Sequence, residues 1–193
     1  DPLMISSKIP SFNNSKTNKT ISGIGVIPRV SIYGNEIYDH LLNRKEIISR
    51  LLQCYFPYHK KLKFLIKNLR NKYNNILVLD FHSMPSSSLV NKTDIIIGNN
   101  YNSSCMPAIT GLIKNYFKSY NYSVEENNPY SGGYITKSLG NPLKGVNVIQ
   151  IEISRSLYMN EKSLLKYKNN MNLLAKNIEF IVNKLLKDIN NFS

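Results

Sequence analysis

The stretch Leu77-Val78-Leu79-Asp80-Phe81-His82-Ser83-Met84-Pro85 decides how the fold is read. With Ile76 in front, it is an apolar run of strand length that ends in an acidic residue, and a histidine follows two places later. Such a run predicts a buried central strand over Ile76 to Asp80. Side chains alternate with period two along a strand, so Asp80 and His82 are expected on one face at the strand's end. Open α/β sheets place their chemistry at strand ends. A carboxylate beside a histidine also fixes the ring's tautomer and raises its basicity as a metal ligand. Taken alone, Asp-X-His reads more readily as an ordinary strand end with a surface histidine.

Outward from this stretch the chain alternates between strand and helix patterns. Asn43 reads as a helix N-cap with Glu46 as its capping-box partner. Ile47, Ile48, Leu51, Leu52 and Tyr55 then recur at helical spacing until Pro57, which lacks the N–H a helix needs. Leu62, Leu65, Ile66 and Leu69 resume the pattern, so a kinked helix or two helices are expected. Downstream, Asp94 to Gly98 and Val146 to Ile153 read as buried strands, and Tyr122 to Val124 as a short one. Ser104 to Tyr120 reads as a helix with Pro107 in its first turn. Asn127 to Pro142 reads as a long loop or hairpin. Glu161 to Lys187 reads as an amphipathic helix whose apolar face is Leu164, Leu165, Met171, Leu174, Ile178, Ile181 and Leu185. The pattern predicts an α/β fold, a mixed and mostly parallel sheet flanked by helices.

At 193 residues, with 42% hydrophobic and 19% charged content, the chain suits one globular domain spanning residues 1–193. No apolar run is long enough for a membrane-spanning helix, so no membrane partner is expected. Asp1-Pro2-Leu3-Met4 lacks the pattern of a signal peptide and an initiator Met, which is expected of a processed chain or a piece of a longer one. The net charge of +13 raises the question of nucleic acid. The lysines are nevertheless spread through the chain and concentrate on two predicted helices, and no arginine-rich cluster occurs. No specific nucleic-acid partner is expected, and a basic non-catalytic scaffold with weak nucleic-acid affinity is the alternative reading. Cys54 and Cys105 show no pairing signal; both read as buried free thiols of a reducing, cytoplasmic setting.

Three further polar features stand out. Glu152 lies in Val148-Ile149-Gln150-Ile151-Glu152-Ile153, where Gln150 and Glu152 share one face of a buried strand. A carboxylate there is costly unless paired or used, which suits a general base or acid, or equally a salt bridge to Arg155. Asn127-Asn128-Pro129-Tyr130-Ser131-Gly132-Gly133-Tyr134 offers glycines for close backbone approach and side chains able to donate hydrogen bonds. Alone it reads as a tight turn. His40 reads as a surface residue and His59 as structural.

Taken together these segments resemble the N-formylglutamate amidohydrolase family. The residues that carry the resemblance include Asp1-Pro2-Leu3-Met4, Gly25-Val26-Ile27-Pro28-Arg29, Tyr55-Phe56-Pro57-Tyr58-His59, Asp80-Phe81-His82-Ser83-Met84-Pro85, Asn128-Pro129-Tyr130-Ser131-Gly132-Gly133-Tyr134 and Gln150-Ile151-Glu152-Ile153-Ser154-Arg155-Ser156-Leu157-Tyr158-Met159. The resemblance implies a zinc-dependent hydrolase with a fold related to zinc carboxypeptidases and aspartoacylase. It implies hydrolysis of N-formyl-L-glutamate, or a similar small N-acyl amino acid, to formate and glutamate in histidine degradation. By resemblance His82 is a zinc ligand, Glu152 is the carboxylate that moves the water's proton, and Arg29, Asn128 and Arg155 bind substrate. Asp80 is implied as a residue that orients the site. Family members carry two further zinc ligands, a His and a Glu, in a segment ahead of the position matched by Asp1. The chain is therefore expected to be an N-terminally truncated, C-terminal portion, inactive alone: either part of a working amidohydrolase whose remainder lies on a longer polypeptide or on a separate, complementing N-terminal fragment, or a decayed, catalytically dead remnant. It also departs from the family after Gly133, reading Ile135-Thr136-Lys137-Ser138-Leu139-Gly140 where relatives often place a His and a Tyr.

Overall fold

The computed structural model describes residues 25–31, 34–88 and 92–189. The chain divides into two compact units, residues 1–65 and residues 66–193. The predicted loop into a strand at Gly23 to Val30 falls partly, and the polar arm over residues 1–20 wholly, outside the described residues.

In the first unit, Asn43 caps helix α1 (Arg44–Arg50). Its side chain accepts from the Glu46 N–H while Glu46 accepts from the Asn43 N–H, a reciprocal capping box. The helical run continues through a π-helical turn, Leu51–Tyr55, into α2 (Phe56–Arg70), whose last residues, from Ile66 on, belong to the second unit. Phe56 N–H donates to Leu51 O, five residues back. The expected interruption at Pro57 is thus a widened turn in a continuing helical run, and Pro57 follows it, where the i→i−4 ladder is already broken. Ile27, Ile47 and Leu51 form a small core with Val26, Tyr38, Leu42 and Tyr55. Cys54 is exposed, against expectation, and takes no part in that core.

The second unit is built on a four-stranded sheet in the order β1 (Ile76–Met84), β4 (Val146–Ser154), β2 (Ile95–Gly98), β3 (Val124–Glu126). β1 is parallel to β4, β2 is parallel to β3, and β4 is antiparallel to β2. Helices α3 (Pro107–Ser119) and α5 (Lys168–Asp188) cover one face. There Ile109, Ile113 and Phe117 of α3 and Leu174, Ile181 and Leu185 of α5 join Ile95, Ile97, Ile149, Ile151 and Ile153 in one core. A short helix, α4 (Tyr134–Leu139), packs against β4 within the segment expected to be a long loop.

Three expectations are corrected. β1 is an edge strand of the described sheet, and the buried interior strands are β4, all nine of whose residues are buried, and β2, all four of whose residues are. An apolar run does not fix the number of neighbouring strands: in β1 Ile76 is buried, but Leu77, Val78 and Leu79 are only half-buried. β1 also runs on to Met84, so Asp80 and His82 lie inside the strand rather than at its end. The last helix starts at Lys168, not Glu161. Asn160 accepts from the N–H groups of Lys162 and Ser163, Leu164 has φ +58°, and Met159 bridges to Lys166, which makes a turn of residues 160–166. Leu164 and Leu165, expected on the apolar face, are exposed in that turn.

Candidate active site

The register of β1 on β4 builds a group of four side chains. Asp80 is opposite Gln150 and His82 is opposite Glu152. Alternation puts all four on the sheet face away from the α3–α5 core. His82 Nε2 lies 3.1 Å from Asp80 Oδ1, and its Nδ1 lies 4.0 Å from Glu152 Oε1. Gln150 Nε2 donates to Glu152 Oε1 at 2.6 Å. Burial grades across the group: the His82 side chain is 45% exposed, Asp80 15% and Glu152 9%. His82 stands on the edge strand and Glu152 on the central one, which accounts for the difference between those two. The alternative of a Glu152–Arg155 ion pair is not formed; Gln150 and His82 face the carboxylate instead.

The segment 127–133 is fixed over the end of β2 by a buried amide network. Asn99 is fully buried. Its N–H donates to Asn127 Oδ1, its Oδ1 accepts from Asn127 Nδ2, and its own amide donates to Asn102 and Thr110. Asn100, Tyr101 and Asn102 follow in the left-handed region, with φ from 50° to 67°. Gly98 is required where the segment crosses β2: a Cβ there would meet Gly132 N at 2.6 Å. The turn then enters α4, where Thr136 Oγ1 donates to Gly133 O at 2.8 Å. Sequence reading missed the role of Asn99 and Asn127. The consecutive Asn99 and Asn100 after a strand-ending glycine are the signal that was there to be read.

The other site residues fall as follows. Asn128 is exposed at the head of the turn. Arg155 begins the short 3-10 turn after β4, and its Nε lies 3.5 Å from Ser83 Oγ, on the face of β1 opposite His82. Arg29 belongs to the first unit, where it lines a hollow of about 230 Å³ with Glu36, Asp39 and His40. A second groove, of about 350 Å³, runs between β1 and α5; His82 and Ser83 line it beside chiefly apolar groups such as Phe81, Ile153, Leu174 and Ile178. It offers few convergent polar groups for recognising a charged substrate.

Among the described residues no group of three or more His, Cys, Asp or Glu is arranged to hold a metal ion. A catalytic zinc needs three protein ligands and an open position. The described residues therefore do not make a zinc site on their own. Of the thiols, Cys105 is buried and burial pushes it up to about 11, so it is not a nucleophile at neutral pH.

The site thus joins a mixed α/β sheet to a histidine and a carboxylate placed opposite each other on two parallel strands. A family model described as N-formylglutamate amidohydrolase matches residues 1–159, and the chain belongs to that family. It is 24% identical over 172 residues to the N-formylglutamate deformylase of Pseudomonas aeruginosa and 28% identical over 170 residues to that of Pseudomonas putida. These matches take in 86% and 84% of this chain but only 64% and 62% of the relatives, so the chain spans less than two thirds of their length. The fold is that of the N-formylglutamate amidohydrolase from Ralstonia eutropha JMP134, with a TM-score of 0.88 at 24% identity over 100% of this chain and 71% of that one. An Agrobacterium tumefaciens gene product shares it more distantly, with a TM-score of 0.65 at 18% identity over 97% and 68%. No helix among the described residues is long and apolar enough to cross a membrane.

Proposed function

We propose that this chain carries the proton-transfer half of an amidohydrolase site that acts on N-formyl-L-glutamate or a similar N-acyl amino acid. The observation that supports the reading is the set of four side chains on β1 and β4, in a chain that belongs to an amidohydrolase family. Amide hydrolysis needs a group that takes a proton from water and returns one to the leaving nitrogen. Glu152 is suited to both tasks: it is nearly buried, its Oε1 is fixed by Gln150, and it stands on an interior strand whose residues are all buried. The water's proton goes to Glu152 as the C–O bond forms, and the same proton passes to the amine as the C–N bond breaks.

His82 is offered as one zinc ligand, with Asp80 beside it to orient the ring. Zinc dependence is part of the proposal, and so is a fold related to zinc carboxypeptidases. The remaining ligands come from a complementing segment that matches the part of the relatives this chain does not span. Asn128 is offered to the substrate's carboxylates; Arg155, whose guanidinium is well shaped for that task but whose Nε is turned to Ser83 on the other face of β1, is a candidate on the resemblance alone. Arg29, in the first unit, is a candidate on the resemblance alone. Residues 1–193 are taken as one functional domain; the family match, which crosses residue 65, supports this as far as residue 159.

The test is zinc content and formate release from N-formyl-L-glutamate, with the 193-residue chain alone and with the complementing segment of a relative added. The chain alone is expected to hold no stoichiometric zinc and to release no formate. The mixture is expected to do both, and to lose both with His82→Ala. Zinc binding and turnover that survive His82→Ala would overturn the assignment.

A further inference from the structure

Gln150 is buried, and both ends of its amide are engaged. Its Nε2 donates to Glu152 Oε1 at 2.6 Å, and its Oε1 accepts from the Gly133 N–H at 2.6 Å. A backbone N–H can only donate and a carboxylate can only accept, so the amide has one orientation that satisfies both. We propose that Gln150 is a positioning residue that holds Glu152 and relays the charge on its carboxylate to the backbone of the Ser131–Gly133 turn. The inference rests on the reading of Glu152 as the proton-transfer group and adds to it a partner segment.

The physical basis is the polarisation of a bridging amide. When its N–H₂ donates to an ionised carboxylate, electron density shifts toward its oxygen, which then accepts more strongly, by roughly 10–30% per bond. The Gly133 N–H is thus held more tightly when Glu152 is charged. The turn is placed to feel this. Gly98 lets its backbone sit down on β2, Thr136 holds Gly133 O, and a Cβ on Gly133 would already lie 3.1 Å from Gln150 Oε1. Movement of the turn on binding a substrate would in the same way loosen or tighten the carboxylate's donor.

The test uses the full chain, uniformly ¹⁵N-labelled, with no need for turnover. Glu152→Gln removes the charge and keeps the shape. It is expected to move the Gly133 amide resonance and the Gln150 side-chain resonances together. In a Gln150→Met background the same substitution is expected to leave Gly133 unmoved. Gln150→Met alone should speed amide exchange at Gly133 about tenfold, the loss of one hydrogen bond of about 1.4 kcal/mol. A Gly133 resonance indifferent to Glu152→Gln, or one that responds equally with Met at 150, would overturn the relay. Should Gln150→Met not fold, the paired response of Gly133 and the Gln150 side chain in Glu152→Gln decides it alone. In the complemented enzyme, Gln150→Met is expected to lower kcat and leave KM near its original value. If turnover instead survives Glu152→Gln while the resonances still move together, the base assignment fails and the relay stands.

Discussion

Two histidines in this molecule each lie between two carboxylates, and they are not alike. His40 has Asp39 Oδ1 at 2.6 Å from Nδ1 and Glu46 Oε1 at 3.1 Å from Nε2. His82 has Asp80 at 3.1 Å and Glu152 at 4.0 Å. By distance alone His40 is the better-made cluster. Yet Asp39 is 95% exposed and next to His40 in sequence, and Glu46 is already committed to the α1 cap. The partners of His82 are 15% and 9% exposed, and each is fixed by a paired strand. Exposed ion pairs contribute little because water and salt screen them and both side chains lose freedom. The difference teaches that a reactive group is defined by the rigidity and burial of its frame, not by the closeness of its partners.

The largest expected effect separates the two clusters by chemistry. In the complemented enzyme Glu152→Gln should lower formate release about a thousandfold, within the range for losing a positioned acid–base group, whereas His40→Ala should leave it unchanged. Equal losses would break the comparison. Next comes the frame itself. Gly98→Ala drives a methyl group to 2.6 Å from Gly132 N, a backbone atom with little room to move. Urea unfolding should show a loss of about 3 kcal/mol, and the Gly133 amide should shift as the turn is lifted. A neutral outcome would mean that the turn is not seated as firmly as the comparison requires.

A smaller effect reports whether the core behind the frame stays closed. Burial pushes the Cys105 thiol from 9.0 up to about 11. The folded state therefore holds this proton more tightly than the unfolded chain. The stability so contributed is fully present below pH 9 and is lost as the pH rises to about 11. A rise of that size corresponds to on the order of 2–3 kcal/mol. Denaturation of Cys105→Ala should be flatter across that window than that of the parent. At about pH 8, close to the ordinary range for a thiol, a disulfide reagent should find only Cys54 in the native chain and both cysteines in denaturant.

The smallest effect concerns His40 itself. The hydrogen bonds that the ring N–H groups donate to Asp39 and then to Glu46, with the charge of Glu46, raise its pKa above 6.5. Its favourable pairing is present below pH 6.5 and is lost as the pH rises through the raised value. Because the cluster is open to water, His40→Ala should leave Tm unchanged and the shift should collapse in high salt. His59 behaves oppositely. Desolvation beside Tyr55 and Tyr58 lowers its pKa, and the charge of Lys63 adds to the effect, so any stability tied to its neutral form is lost as the pH falls below 6.5. Proton NMR titration of the histidine rings should place His40 above 6.5 and His59 below it.

The sequence by itself determined the alternation of strands and helices, the capping box at Asn43 and Glu46, and the shared face of Gln150 and Glu152. These are local properties, set by side-chain period and by hydrogen bonds three residues apart. It also carried the family motifs. Only the tertiary structure decided that β4 rather than β1 is the enclosed strand, that residues 160–166 turn instead of starting a helix, and that Cys54 faces outward. It alone brought His82 opposite Glu152 and Gly133 onto Gln150. Apolar runs say neither how far a segment is buried nor by what, as the half-buried run of β1 shows, and a strand's partner can lie far along the chain, as the pairing of Ile76 with Val146 shows. Register and burial are properties of two segments at once, so neither segment's sequence specifies them alone.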